Sequence, residues 1–297
     1  MQTAIRGAME GFYVTLPSNV KGVVENTIGN YTTYLPSPII LDSDWKVAIT
    51  EIYYTNSWYN LKKKCVVTVN ERRLKENEVN SLDPHGVFIE AGRYENIDDI
   101  VKPINDYFKN NKEYKAKQEE MTRDIAGHPK YETPELVVNS HTRLLHQNVK
   151  PMPNRRFLEF EFEEELGQLI GAYKGAEYVT ADVSCWNNFK DVNKAKMLLV
   201  PKRSYDLTGG HHSLYIYSDV VDYSHVGDTK CQLLRVAEIP STSKYGDHVH
   251  VAFKNPYYMP LANRNITSIE IDIKDDSGET IDFKFGRVEV VLHFVKQ

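Results

Sequence analysis

The sequence predicts a mainly β protein, a single jelly-roll sandwich carrying an inserted α+β region, and three observations lead to that class. Extended, alternating segments crowd both ends of the chain, while helical periodicity is confined to the middle. Tyrosine, with 19 residues against 11 phenylalanines, supplies rings suited to strands and contact surfaces, where the hydroxyl finds water or a partner. A chain of 297 residues suffices for one large β domain with an insertion or for two modest domains.

From Gly11 to Tyr59 the chain reads as the extended segments FYVTLPS, NYTTYLPSPIIL and DWKVAITEIYYTNSWYN. Pro17, Pro36 and Pro38 confine these strands to edges or end them. Within the third, Trp45, Val47 and Ile49 alternate with Lys46, Ala48 and Thr50, the period of a half-buried strand. Cys65 to Asn70 is a further short strand, the charged run Glu71 to Glu78 reads as a turn or loop, and Gly86 to Tyr94 as another strand.

A helix then opens. Asn96 is its expected N-cap, Asp98 and Asp99 sit in the first turn where carboxylates favour the positive helix end, and Ile97, Ile100, Val101, Ile104 and Phe108 share one face. Pro103 kinks it or shifts its start. Lys109 to Arg123 is highly polar, so the stretch on to Pro134 is expected to be an exposed loop or solvated helix. Phe157 to Phe162 reads as a strand, and Leu166, Leu169 and Ile170 mark a short helix that Gly171 stops.

Strand signals return at Ser213 with SLYIYSDVV, CQLLRVAEI and HVHVAF. Ile269, Ile271 and Ile273 alternate with charged residues; the turn Asp275 to Gly278 follows, and Ile281, Phe283 and Phe285 alternate again, which predicts a hairpin. Arg287 to Phe294 closes as one more strand. About eight to ten strands around a helical middle suggest a jelly roll interrupted by an insertion. The expected division is residues 8–95 and 206–297 for the two parts of the jelly roll and 96–205 for the insertion.

Charge excludes some partners. A net charge of −5 and a pI near 6.1 give no basic field for phosphate neutralisation, so direct nucleic-acid binding is not expected. The runs Lys62–Lys64 and Lys112–Lys117 are short, the second broken by Glu113, and read as solvated faces. Cys65, Cys185 and Cys231 are widely spaced, form no C-x-x-C and signal neither zinc nor a disulfide framework, which fits a reducing compartment. The opening MQTAIRGAMEGFYVTL lacks the apolar core of a secretory signal, and no stretch has the length of a membrane span. Synthesis and folding in the cytosol, without a secretory signal, are expected, and the sequons at Asn30 and Asn265 then stay unused.

His248 and His250 are two residues apart on a predicted strand and share a face, so they form a candidate metal pair of the cupin kind. The carboxylate such a site needs a few residues on is missing, since 252–255 read Ala-Phe-Lys-Asn; the competing view is two solvent-side histidines on an edge strand. His211 and His212 follow Gly209-Gly210 and read as loop polarity. The paired carboxylates at 98–99, 163–165 and 275–276 are explained by helix starts or a turn. No nucleophile elbow, phosphate loop, zinc-protease or dinucleotide motif occurs, so neither catalytic residues nor a cofactor are predicted. The aromatic groups Tyr53, Tyr54, Trp58, Tyr59, Tyr257 and Tyr258 fit core packing, a protein interface or a carbohydrate platform alike.

In the last third the pattern becomes specific. LYIYSDVV (214–221), VGD (226–228), LLRV (233–236), NPYYMPL (255–261), IEIDI (269–273) with DDSG (275–278), and FGRV (285–288) resemble the penton-type minor capsid proteins of Maverick/Polinton elements and mavirus-like virophages. FYVTLPSN (12–19), NYTTYLPSPIIL (30–41), DWKVAITEIYY (44–54) with Trp58, and AGRYENIDDIVKPIN (91–105) look like the same family's opening, whereas residues from about 109 to 154 fall outside the likeness. The resemblance implies a single jelly roll forming homopentamers at the five-fold vertices of an icosahedral virion, among trimers of a larger major capsid protein, with no catalytic residues. The rival expectations are a cupin-like metalloenzyme using His248 and His250 and a carbohydrate-binding β-sandwich.

Overall fold

The computed structural model describes residues 11–19, 25–42, 45–75, 78–112, 135–148, 156–172, 178–180, 197–199 and 203–296. Most of the polar stretch up to residue 134, the segment Asn187 to Lys196 and Cys185 lie outside the described residues. The chain divides into two compact units, one formed by Met1–Tyr59 with Gly210–Gln297 and the other by Asn60–Gly209.

In chain order the first unit begins with β1 (Gly11–Pro17), β2 (Asn30–Ile40) and β3 (Trp45–Thr55). The second unit holds β4 (Cys65–Lys75), β5 (Glu78–Ile89), α1 (Asp98–Asn110), β6 (Glu135–Asn139) and β7 (Leu144–Asn148). It continues with β8 (Arg156–Phe162), α2 (Glu164–Ile170), β9 (Tyr178–Thr180) and β10 (Met197–Leu199). The first unit then resumes with β11 (Ser213–Ser218), β12 (Ser224–Val226), β13 (Thr229–Cys231) and β14 (Leu233–Glu238). It ends with β15 (His248–Ala252), β16 (Met259–Pro260), β17 (Asn265–Lys274) and β18 (Glu289–Lys296).

The first unit carries two antiparallel sheets, ordered β1-β18-β3-β15, with β16 also on β3, and β14-β11-β17-β2. Counting β1, β2, β3, β11, β14, β15, β17 and β18 as first to eighth, the orders become 1-8-3-6 and 5-4-7-2. Successive strands cross between the sheets except at the β11–β14 hairpin, which is the double Greek key of a jelly roll. Alternation supplies the core: Ile269, Ile271 and Ile273 from β17 and Val290, Leu292 and Phe294 from β18 are fully buried in one apolar cluster. Tyr31 joins it, its hydroxyl donating to the Leu16 carbonyl at 2.9 Å, and burial pushes its phenol pKa far up.

In sequence the second unit follows the third jelly-roll strand and precedes the fourth. It contains β5-β4-β8, a hairpin of β6 and β7, and the short pair β9 and β10. Strands β4 and β5, which the sequence suggests belong with 8–95, fall in this unit. The charged run after Asn70 is strand rather than loop: the β4–β5 ladder continues to the pair Lys75 and Glu78, and Arg73 pairs with Arg156 of β8. A ladder joins backbone groups, so polar composition alone does not break it. Ile100, Ile104 and Phe108 of α1 pack with Cys65, Val67, Phe160 and Leu166. Buried Asn105 clamps β6, donating to the Leu136 carbonyl and accepting from its N–H. Ile97 occupies the helix N-cap position, while the Asn96 side chain accepts from the Asp98 N–H at 3.0 Å. Pro103 is accommodated within α1, and Gly171, at φ 77°, ends α2 as expected.

Two further expectations are corrected. Residues 281–285 do not form the second strand of a β-hairpin: after the turn at Gly278 pairing ends with the Lys274–Thr280 bridge and the Ile281 N–H bond to the Ile273 carbonyl, and the Lys284 N–H reaches the Ser57 carbonyl. Ile281 and Phe283 are nevertheless buried, so their alternation records burial without a ladder. His211 is not loop polarity. It is buried, stacked at 5.7 Å on Trp58, with Nε2 at 3.7 Å from the Asp275 carboxylate.

Candidate functional site

The side chains with chemistry to offer gather on the outer face of the β1-β18-β3-β15 sheet. Tyr13 of β1 lies opposite His293 of β18, with ring centroids 4.3 Å apart and stacked. Tyr53 of β3 lies opposite His250 of β15 in the same way, at 4.2 Å. Both are cross-strand pairs of the kind that stabilise neighbouring strands. The Tyr53 hydroxyl donates to Glu51 Oε2 at 2.5 Å, and His250 Nε2 stands 3.2 Å from the same oxygen. The Tyr53 hydrogen bond, reinforced by His250, holds the Glu51 carboxyl below its ordinary pKa. Tyr258 lies over the same face, its hydroxyl 2.7 Å from His293 Nδ1, and partial burial lowers the pKa of His293.

The aromatic residues singled out in the sequence separate into two environments. Tyr54 and Trp58 are buried in the core, Trp58 meeting Phe283 edge-on at 5.5 Å. Tyr53 and Tyr257 are exposed, the latter at 67%, and Tyr59 is half-buried beneath the Lys284 ammonium at 4.8 Å. Tyr13 and His293 were not singled out by sequence, although the period of FYVTL already turns Tyr13 away from Phe12 and Val14.

His248 and His250 do share a face of β15, as their spacing predicts. His248 Nδ1 is 3.1 Å from the Thr55 hydroxyl and His250 is engaged by Glu51, so the two imidazoles serve different partners. Among the described residues no three His, Cys, Asp or Glu side chains gather as a metal-binding set.

The strand order, the two-sheet core and the long insertion define the class: a jelly-roll sandwich interrupted between its third and fourth strands. A solved structure with this fold is the selenomethionine-labelled mavirus penton protein, which superposes with a TM-score of 0.50 at 11% identity over 96% of this chain and 99% of that one. No family model and no curated protein match the sequence. At this identity the likeness establishes the penton-type jelly-roll fold; function is a separate inference.

Proposed function

We propose that this chain is a virion structural protein, the penton-type minor capsid subunit that forms homopentamers at the five-fold vertices of an icosahedral capsid. The observation that carries this is a fold shared with the mavirus penton protein over 96% of this chain and 99% of that one. The motif-level resemblance at both chain ends points the same way. Its partners are then other copies of itself and trimers of the major capsid protein around the vertex. Its place is the virion, and its role is assembly and not catalysis.

A ring of identical subunits joins two different patches of each copy head to tail. Exposed Tyr53, Tyr257 and half-buried Tyr258 and Tyr59 are the sequence-predicted aromatics accessible for such contacts; Tyr54 and Trp58 act through the core. On this reading the second compact unit, residues 60–209, is the insertion of the subunit.

Native mass measurement and negative-stain microscopy of the full chain, alone and mixed with a major capsid protein, test the proposal. Five-fold rings and incorporation at particle vertices are expected. A chain that stays monomeric in every mixture and is missing from purified particles refutes it.

A further inference from the structure

A sandwich of two open sheets has four edge strands, and this one treats them unequally. Exposed edges invite pairing, and proteins blunt them with proline, fixed charge or bulges. In the second sheet β2 carries Pro36 and Pro38 and a register shift against β17, while β14 carries Arg235 and Glu238 and a register shift against β11. In the first sheet β1 reads GFYVTLP, with no charge and an unbroken ladder of seven paired residues, and β15 reads HVHVA, with neither proline nor bulge.

Hydrogen-bond phase shows what these edges present. The Ser18 N–H donates to the Val288 carbonyl, so in β1 the even residues bond to β18 and Gly11, Tyr13 and Thr15 turn their N–H and C=O outward. Pro17, which has no N–H to offer, falls in the same outward set, as an edge proline must. On the other side the Phe253 N–H reaches the Thr50 carbonyl and the Asn56 N–H reaches that of Asp247. His248, His250 and Ala252 therefore face away from β3. Among the described residues neither row has a backbone partner.

We infer that the β1 edge of one copy pairs antiparallel with the β15 edge of the next, with Tyr13 opposite His250, so that the sheet runs on from subunit to subunit. The two rows match in length and phase: Gly11, Tyr13 and Thr15 fall opposite Ala252, His250 and His248. Strand sense also matches, because every neighbour in β1-β18-β3-β15 is antiparallel and a following β1 continues the alternation. The pairing lengthens the Tyr–His stacking already present within the chain, giving Tyr53, His250, then Tyr13 and His293 of the next copy in one row. It brings no carboxylate against another, and the contact joins two unlike edges, the head-to-tail type that a ring uses. The inference rests on the homopentamer proposed above.

The test uses the full chain carrying Thr15→Cys and His248→Cys together, with each single variant as control. Paired residues across an antiparallel ladder lie within disulfide reach, so mild oxidation should convert the double variant into a covalent ladder of subunits, while each single variant gives none. Thr15→Pro and, independently, Ala252→Pro remove one outward N–H without touching the internal ladder. Each should weaken association by about tenfold or more while circular dichroism stays unchanged. Wild-type rings that neither cross-link in the double variant nor weaken with either proline overturn the contact and leave the pentamer standing. Cross-linking of the Thr15→Cys single variant points to two-fold β1–β1 pairing and also overturns it. A wild-type chain that never oligomerises, even with the major capsid protein, overturns the pentamer and the contact together.

Discussion

The two sheets of the jelly roll share one core and differ at their margins. Inside, both are built alike, with central strand β17 burying Ile269, Ile271 and Ile273 and central strand β18 burying Val290, Leu292 and Phe294. Outside, both edges of the second sheet carry register shifts, with two prolines in β2 and charges in β14, whereas the edges of the first keep unshifted ladders, with one proline at the last residue of β1, beside stacked Tyr–His pairs. Inward side chains of these strands hold the core, and the proposed contact between copies would draw on the edge backbone instead.

The largest test of that division is in the core. Ile271→Ala in the second sheet and Leu292→Ala in the first should each cost about 3 kcal/mol in urea unfolding, because both side chains are fully buried. A loss confined to one of them breaks the claim that the sheets are equal inside.

A middle-sized effect is expected at the end of the sandwich, where Asp275 organises its turn. Burial raises its pKa, but hydrogen bonds from the Ser277 hydroxyl and the N–H groups of Glu279 and Ser277, with His211 nearby, outweigh that and leave the carboxyl below its ordinary value. A lowered folded-state pKa contributes stability above the unfolded carboxyl pKa of about 3.9, and that stability is lost as pH falls through the folded value. Asp275→Asn should therefore cost about 2 kcal/mol near neutral pH and flatten the acid limb of a stability–pH curve. An unchanged acid limb would remove Asp275 from that role.

The smallest effect concerns monomer stability at the margins. Thr15→Lys on β1 and Tyr34→Lys on β2 should each shift the unfolding midpoint by the equivalent of about 0.5 kcal/mol or less, since both side chains are exposed. They should differ in association alone, the first weakening it and the second leaving it unaltered, as sedimentation would show.

Much of the architecture was legible in the residues. Period-two segments located β1, β2, β3, β11, β14, β15 and β17, and the helical face from Ile97 to Phe108 located α1, because side-chain alternation follows directly from backbone geometry. Elements whose character depends on distant partners were harder to read. Ile281 and Phe283 alternate like a strand but are buried in the jelly-roll core by a segment that hydrogen-bonds to Ser57, just past β3, and His211 looked like loop polarity until Trp58 and Asp275 came to flank it. The candidate surface was half visible: Tyr53 and His250 were named, yet their pairing and the matching Tyr13–His293 pair depend on which strands become neighbours, a relation carried by topology.

The insertion leaves the jelly roll and returns to it at nearly one place. Asn60, its first residue, donates to the carbonyls of both Tyr94 and Leu207, and a methyl added at Gly209, its last, would press against Asn60. A segment whose two ends are fastened together in this way behaves as a cassette. A change of length inside it need not separate those two ends, which is the condition under which an insertion carried on a surface connection is tolerated.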